Sequence, residues 1–304
     1  METSKASGQS TAASRSLRQV MQQHSLFFFF FMAYAFSWIV LIPFVLSVWG
    51  IMPEFFSFTF ILNPFLGPIL AVPVTLAAFI MTGITEGKAG VRRLLHRYMQ
   101  WRAGWQWYLF ILLDIPALLL LGIIVQPGAL ASFHGLPPPI FFLVYYLVSF
   151  VVVFLLGGLL GEEPGWRGFA LPRMQLRYGP LWGTLVLGVL WGFWHLPHFL
   201  TPVQGGGPGT SFATFLTNFP IFFLEVMALA IIFTWVFNHT RGSVFIAILL
   251  HTSIDTPQTV WIPLFLAVDM TSMDLAGLIG FGVPALLILL LTRGRLGSQE
   301  TGRT

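Results

Sequence analysis

The chain has 304 residues, of which 56% are hydrophobic and only 9% are charged. A soluble domain carries about 25% charged residues because its surface must face water, so this composition excludes an ordinary soluble protein and predicts a surface covered largely by lipid. The formal net charge of +4 does not indicate a nucleic-acid partner, because the basic residues are scattered between apolar segments. Cysteine is absent, which excludes disulfides, a cysteine nucleophile and thiolate metal ligands.

In chain order, residues 1–24 are polar and are predicted to form a disordered cytoplasmic tail. A helix needs roughly 20 apolar residues to cross a bilayer core. The sequence therefore predicts an all-α, polytopic membrane protein of about eight transmembrane helices, which form a single domain over residues 25–292 and precede a cytoplasmic tail at 293–304. The predicted spans are 25–48, 57–83, 105–126, 139–162, 181–200, 219–238, 243–266 and 275–292, with a basic interfacial helix at 85–104.

The distribution of basic residues predicts the orientation of these spans. With the N-terminus inside, all fifteen Lys and Arg residues fall in the tails and in the connections on the inner side. The outer connections hold none and carry Glu54, Asp269 and Asp274. The positive-inside rule therefore predicts that both termini are cytoplasmic.

The first candidate cluster lies at the end of the fourth span, in the stretch GLLGEEPGWRGFALPRMQ. It contains Glu162, Glu163 and Arg167, and charged residues within a membrane usually have a task because each costs about 2.5–3.5 kcal/mol at a helix centre. Arg167 could hold one carboxylate ionised while the other acts as a general base. Pro164 predicts a kink beside them. The alternative is a solvated charge run at an ordinary helix end.

Two further clusters follow in the fifth and seventh spans. His195 and His198 lie in the Trp-rich stretch LWGFWHLPHF, and His251 and Asp255 are four residues apart, on one face of a helix. Each has a plainer explanation, since a buried histidine often only donates hydrogen bonds and a His–Asp pair can simply join helices. Together with the carboxylate pair, they supply what water activation and the stabilisation of an oxyanion or a metal ion require.

The predicted boundaries leave a difficulty of depth. If the fifth span begins near Leu181, His195 lies about 21 Å along it, whereas Glu162 ends the fourth span. Two other intramembrane acids, Asp114 and Glu225, have no partner nearby in the sequence; they could be packing residues, proton-relay groups or additions to the same cavity. Gly188 and Gly192 have the spacing that permits close helix packing.

These motifs resemble those of a known family. The order Glu162-Glu163-x-x-x-Arg167, a histidine in a Trp-rich helix at His195, and His251-x-x-x-Asp255 is similar to the signature of the CPBP (CAAX protease and bacteriocin-processing, or Abi) family. Its best-known branch is the type II CAAX prenyl endopeptidase. The stretches EEPGWRG and WHLPHF look especially like prokaryotic members, and the resemblance covers a core of residues 139–260.

The resemblance implies an eight-helix intramembrane endopeptidase whose cavity opens toward the cytosol. By analogy, Glu162 activates the attacking water with help from His195, while His251 and Asp255 stabilise the oxyanion or orient the water. The residues Glu163, Arg167 and His198 would support them. The last motif position is Asn in the CAAX branch, so Asp255 departs from that pattern; the departure weakens a direct oxyanion role and favours orienting His251.

The resemblance leaves the cofactor open. Zinc could be held by Glu162, His195, His251 and Asp255, or the enzyme could be a glutamate peptidase without metal, so the predicted hydrolase is glutamate-type or a metalloprotease. The predicted partners are membrane lipids and a peptide or membrane-protein substrate, with or without a prenyl group, and the predicted location is a prokaryotic plasma membrane.

Two other functions remain open on the sequence. A small proton-coupled transporter could use Asp114, Glu225 and the histidines as relay groups, although no internal repeat is visible. A catalytically silent immunity or scaffold protein could retain the same fold.

Overall fold

The fold was analysed in a computed structural model, which describes residues 16–53 and 71–298. Within these ranges the chain is helical and forms no strand, so the predicted all-α class is confirmed. Short helical turns occur at Ala129–Ser132, Leu196–Leu200, Pro202–Gln204 and Ile262–Leu264. The longer helices are α1 (Leu17–Gln23), α2 (Ser25–Val48), α3 (Val72–Tyr98), α4 (Trp105–Ile124), α5 (Pro139–Tyr178), α6 (Pro180–Trp194), α7 (Phe212–His239), α8 (Val244–Trp261) and α9 (Met270–Thr292).

A helix lies in each of the eight predicted spans. In the described residues, five helices (α2, α4, α5, α7 and α9) are long and apolar enough to cross a membrane. Of the others, α6 has only 15 residues, and α3 and α8 carry more polar side chains. Residues 57–70 of the second predicted span lie outside the described residues. A polytopic helical membrane protein is therefore confirmed, while the count of eight crossings stays a prediction.

Helix α1 differs from the predicted tail. Residues 17–23 are helical because Ser16 accepts a hydrogen bond from the Gln19 backbone N–H while the Gln19 side chain accepts one from the Ser16 N–H. This reciprocal capping box stabilises a short helix that the polar composition conceals. The earlier part of the predicted tail, residues 1–15, lies outside the described residues.

The connections that carry basic residues meet at one end of the bundle. Ser243 donates a hydrogen bond to the carbonyl of Gln100 over 2.6 Å, and the Gln100 side chain donates to the carbonyl of Arg241 over 3.3 Å. At the same end, Asn238 donates to the carbonyl of Leu296 over 2.8 Å. We call this the basic end. Connections that lie far apart in the sequence meet at this end, which agrees with the predicted orientation. The cytoplasmic placement of the termini stays a prediction.

The opposite end joins the remaining connections. Trp49 donates a hydrogen bond to the carbonyl of Leu200 over 2.8 Å, and the backbone N–H of His134 donates to the carbonyl of Leu264 over 3.3 Å. The bundle therefore has two distinct ends, as a chain that crosses a membrane repeatedly requires.

Helix α5 is much longer than the fourth predicted span, which ended at residue 162. It continues to Tyr178, and over residues 153–162 and 164–170 its hydrogen bonds have the wider π-helical spacing. Such π segments occur frequently at functional sites. Because the helix continues, Arg167 lies inside the bundle with 1% of its surface exposed, rather than in a solvated connection.

The distortion of α5 lies at Gly161 rather than at the residue before Pro164. Gly161 has φ −89° and ψ −106°, whereas Glu163 keeps helical angles of −64° and −35°. The hydroxyl of Thr75 in α3 donates to the Gly161 carbonyl over 2.6 Å, so the bend leaves that acceptor satisfied. A second helix thus holds the bend immediately before the Glu162 side chain.

The α5–α6 hairpin resolves the difficulty of depth. The two helices are joined at Gly179, whose φ of 79° ends α5. Glu162 lies 17 residues before this turn and His195 lies 16 residues after it. In an antiparallel pair, residues at matching distances from the turn lie opposite each other, so the two side chains reach the same depth.

Gly188 and Gly192 pack α6 against α7. A Cβ atom at Gly188 would come within 2.9 Å of the sulfur of Met227, and one at Gly192 would come within 2.8 Å of the Phe223 ring. The small residues therefore allow α6 to approach α7 closely, in agreement with the spacing that the sequence shows.

Candidate active site

Side chains from five helices, α5 to α9, and from the turns after α6 surround one cavity of about 100 Å³. They include all four predicted catalytic residues, which lie far apart in the sequence. The lining acids and histidines are Glu162 of α5, His195 after α6, Glu225 of α7, His251 and Asp255 of α8, and Asp274 of α9.

Two tryptophans fix the carboxylate of Glu162. Its Oε2 atom accepts hydrogen bonds from the indole N–H of Trp166 over 3.0 Å and from that of Trp191 over 2.5 Å. Trp166 is one turn further along α5, and Trp191 reaches across from α6. The Oε1 atom accepts no hydrogen bond from the part of the chain that the structure describes, and it lies 4.0 Å from the Nε2 atom of His195.

The hydrogen bonds of His195 determine which nitrogen faces the cavity acid. Its Nδ1 atom lies 2.9 Å from the carbonyl oxygen of Trp191. A carbonyl only accepts, so Nδ1 carries the proton and Nε2 of the neutral ring is an acceptor. At 4.0 Å, Nε2 and Glu162 Oε1 are too far apart for a direct hydrogen bond, a separation at which one water molecule can bridge two polar atoms.

Behind Glu162, a buried ion pair anchors the next residue of α5. Glu163 and Arg167 are 3.0 Å apart and have 0% and 1% of their side-chain surface exposed. The Arg167 guanidinium also lies over the rings of Trp191, 4.1 Å from its centroid, and Phe233, 3.8 Å from its centroid. Aromatic faces favour a cation in this position. The pair therefore has a fixed position between α5, α6 and α7.

His251 lies between two carboxylates. Its Nδ1 atom is 2.9 Å from Glu163 Oε1, and its Nε2 atom is 3.1 Å from Asp255 Oδ2. Ionised carboxylates only accept, so both ring nitrogens donate and His251 is an imidazolium cation. Arg167, Glu163, His251 and Asp255 thus form a chain of alternating charge that runs from the bundle interior to the cavity.

This chain changes the role that the resemblance implies for His251. Both of its N–H groups are already bound to carboxylates, so neither is available to donate to an oxyanion. Asp255 is an acceptor and its side chain is 44% exposed, which suits it to orienting His251. The imidazolium therefore contributes positive charge behind the cavity rather than a direct hydrogen bond.

The arrangement does not fit a catalytic zinc ion. Three protein ligands must converge at roughly 2.0–2.2 Å from such an ion. Both nitrogens of His251 face carboxylates, and one oxygen of Glu162 is taken by two indoles, which leaves only His195 Nε2 and Glu162 Oε1 directed at one point. Among the described residues, no three His, Asp or Glu side chains are arranged around a common metal position. The predicted metalloprotease type is therefore not supported.

Two predicted or candidate residues lie away from the cavity. The His198 ring is 6.1 Å from the His195 ring, centroid to centroid, but His198 is not among the residues that line the cavity. Asp114 lies on the exposed face of α4 and does not line it either. A direct part in the chemistry is therefore not supported for these two residues.

One lining acid was missed in the sequence, as were the lining residues Gln204 and Gln258. Asp274, predicted to lie in an outer connection, is in α9 with 3% of its surface exposed. A signal was present, because Asp269 is the N-cap of α9 and accepts a hydrogen bond from the backbone N–H of Ser272. An Asp at this position marks a helix start, which places Asp274 inside the helix.

The cavity extends away from the basic end. Gln204, which lines it, follows α6 at the end where Trp49 meets Leu200, and Asp274 is in the first turns of α9 near the same end. The resemblance implies a cytosolic opening, whereas the charge distribution predicts that the basic end is cytosolic. The two expectations therefore disagree for this chain.

A second, apolar pocket adjoins the cavity at Gln204. Its volume is about 420 Å³, and its walls include Leu196, Phe199, Leu200 and Phe215. Gln204 lines both spaces. An extended ligand could therefore occupy the apolar pocket while another part of it reaches the Glu162 carboxylate.

Part of the chain is similar to a known protein family. A family model described as "Type II CAAX prenyl endopeptidase Rce1-like" matches residues 144–256, which contain all four predicted catalytic residues. Over this segment the chain is similar to that family. The predicted resemblance is thereby confirmed, and the matched residues fall inside the predicted core of 139–260.

A curated relative supports the same likeness. "CAAX prenyl protease 2" of Methanococcus maripaludis is 32% identical over 108 residues, which are 36% of this chain. The match spans 39% of the length of that relative. The segment that the family model matches contains α6, α7, most of α5 and α8, and the loops between them.

Proposed function

We propose that this protein is a membrane-embedded endopeptidase of the CAAX protease type, in which Glu162 and His195 activate a water molecule. The observation that carries the proposal is their placement: two acceptor atoms, Glu162 Oε1 and His195 Nε2, face each other across 4.0 Å in a cavity. The names of the matched family and of the curated relative support the proposed reaction class.

In this mechanism a bridging water donates one hydrogen bond to Glu162 Oε1 and the other to His195 Nε2. Its lone pair then points toward a substrate carbonyl. As the oxygen attacks the carbonyl carbon, Glu162 takes the proton and a C–O bond forms, which leaves a tetrahedral oxyanion. General-base assistance of this kind contributes roughly 10²–10⁴-fold to a rate.

The oxyanion needs positive charge and hydrogen-bond donors. His251 supplies the charge as an imidazolium, held by Glu163 and Asp255. The free donor on the same face of α8 is the side-chain amide of Gln258, one turn beyond Asp255, which also lines the cavity. Gln258 thus takes the donor role that an Asn would have at position 255.

Collapse of the tetrahedral intermediate completes the reaction. The C–N bond breaks, and the departing amine receives the proton that Glu162 took from water. The products are a carboxylic acid and an amine, and Glu162 returns to its ionised form. The reaction therefore requires no redox partner.

The substrate we propose is a peptide or membrane-protein segment with a large apolar group near the cleaved bond. The pocket of about 420 Å³ beside Gln204 would take that group. A prenyl group on cysteine is one such group, as in the name of the curated relative, and a cluster of aliphatic side chains is another. The protein acts as a multi-pass membrane protein, for which we propose a prokaryotic plasma membrane.

Cleavage of matched peptides tests this proposal. Purified protein in lipid nanodiscs is incubated with a peptide that ends in Cys-aliphatic-aliphatic-X, either S-prenylated or unmodified, and the products are identified by mass spectrometry. We expect cleavage at one bond, at least tenfold faster for the prenylated peptide because its apolar group fills the adjoining pocket.

The matched control is Asp114→Asn, which removes an intramembrane acid that does not line the cavity and should cleave like the wild type. If the folded wild-type protein cleaves neither peptide, nor any member of a library of apolar peptides, the endopeptidase proposal fails.

A further inference from the structure

A second pair of acids lies in the same cavity without any role in the mechanism above. Glu225 of α7 and Asp274 of α9 have 2% and 3% of their surface exposed. Among the described residues, neither Glu225 Oε1 nor Asp274 Oδ2 has a hydrogen-bond partner, and neither acid forms a salt bridge. Buried polar atoms are nearly always paired, and both of these carboxyl groups also line the cavity, so a group that enters it can pair with them.

The local packing is shaped around the Glu225 carboxyl group. A Cβ atom at Gly277 would lie 1.8 Å from Glu225 Oε1, so only glycine leaves room for that oxygen. Gly277 is three residues after Asp274 in α9, and residues with this spacing share a helix face. The two carboxyl groups therefore face one another across the α7–α9 contact, at the edge of the cavity.

The charge of the cavity lining favours a cation. Its acidic members are Glu162, Glu225, Asp255 and Asp274, whereas its only basic side chains are His195 and His251. Of the two histidines, His251 is already paired and His195 is neutral. Isolated buried carboxylates are costly, and an entering cation removes that cost by pairing with them.

We propose that Glu225 and Asp274 form a subsite for a cationic group of the substrate, an ammonium or a guanidinium. The identity of the ligand as a substrate residue rests on the proposed function. A cavity of about 100 Å³ has room for about three water molecules, or for one such group. Because the same small space holds the Glu162–His195 water, the group belongs to a Lys or Arg residue directly beside the cleaved bond.

A binding experiment tests the subsite without any need for cleavage. The probes are Nα-acetyl-arginine amide and Nα-acetyl-citrulline amide, which have nearly the same shape but differ in charge. Thermal unfolding of the protein in nanodiscs is followed as each probe is titrated, because a ligand of the folded state raises the melting temperature. We expect saturable stabilisation by the arginine probe, and at least tenfold weaker binding of the citrulline probe.

Variants locate the binding site. In Asp114→Asn the arginine probe should bind as in the wild type, whereas Glu225→Gln with Asp274→Asn should weaken binding at least tenfold. The single variant Glu225→Gln serves if the double variant does not fold. Equal binding of both probes, binding unaffected by the change at Glu225, or stabilisation by Na⁺ or Mg²⁺ in place of the arginine probe would each overturn the subsite.

A cleavage experiment separates this inference from the proposed function. With the wild type, kcat/KM should be at least tenfold higher for a peptide with Arg beside the cleaved bond than for one with citrulline there. With the double variant, kcat/KM should be about the same for the two peptides. If Glu162-dependent cleavage shows no preference for Arg, the subsite is refuted and the endopeptidase stands. If the arginine probe binds through Glu225 and no peptide is cleaved, the subsite stands and the endopeptidase is refuted.

Discussion

Replacing Glu162 with Gln is expected to reduce peptide cleavage by roughly 10²–10⁴-fold while leaving the fold intact. The amide oxygen of Gln can accept the two indole hydrogen bonds that Trp166 and Trp191 now donate to Oε2. Its NH₂ group then takes the place of Oε1, 4.0 Å from His195 Nε2, where it cannot accept a proton from water. The measurement is kcat/KM for the prenylated peptide, together with the melting temperature.

The control for this prediction is again Asp114→Asn, which makes the same carboxyl-to-amide change outside the cavity. Cleavage by Glu162→Gln at the wild-type rate would remove Glu162 from the mechanism. Uptake of a solute into proteoliposomes, unaltered by the same substitution, would instead favour the transporter.

Removing the Arg167 side chain is expected to give the largest loss of stability. Arg167→Met leaves the Glu163 carboxylate, which is 0% exposed, with His251 as its remaining cationic partner, and breaking one side of a buried pair costs about 3–5 kcal/mol. Arg167→Lys should lose less, because it keeps the charge but loses the planar stacking on Trp191 and Phe233. The free energy of unfolding can be measured by denaturant titration in detergent.

The matched control is Arg177→Met, which removes an exposed arginine of the same helix and should change stability by about 0.5 kcal/mol or less. A further check is the double variant Arg167→Met with Glu163→Gln. Because it removes both charges, it should recover part of the lost stability. A single Arg167→Met variant as stable as the wild type would show that the buried pair contributes nothing to the fold.

The helices were predictable from the sequence because lipid demands long apolar runs. The first predicted span, 25–48, coincides with α2, and the spans at 105–126 and 275–292 overlap α4 and α9 closely. The spacing of His251 and Asp255 was equally informative, since four residues in a helix bring two side chains to one face, and their nitrogen and oxygen atoms lie 3.1 Å apart.

The sequence failed where local rules compete with tertiary contacts. The charges and proline of EEPGWRG suggested a helix end, yet α5 continues to Tyr178 because the ion pair of Glu163 and Arg167 is buried against aromatic rings. The π-helical spacing and the bend at Gly161 depend on Thr75, which is distant in the sequence. No local pattern records that contact.

The sequence predicted which residues form the site better than it predicted the role of each residue. The motif spacing indicated which side chains would meet, but the proton positions follow only from geometry: the Trp191 carbonyl fixes the tautomer of His195, and two carboxylates make His251 a cation. Asp274 was missed because a charge at the end of an apolar run resembles a loop residue.

The central claim is that Glu162 and His195 act on the same water molecule, and a double-mutant cycle measures it most directly. His195→Asn keeps a donor for the Trp191 carbonyl while removing the Nε2 acceptor. Groups that act as a unit show strongly non-additive losses. We expect Glu162→Gln with His195→Asn to cleave within a few-fold of Glu162→Gln alone. Losses that multiply would show that the two residues do not act on one water molecule.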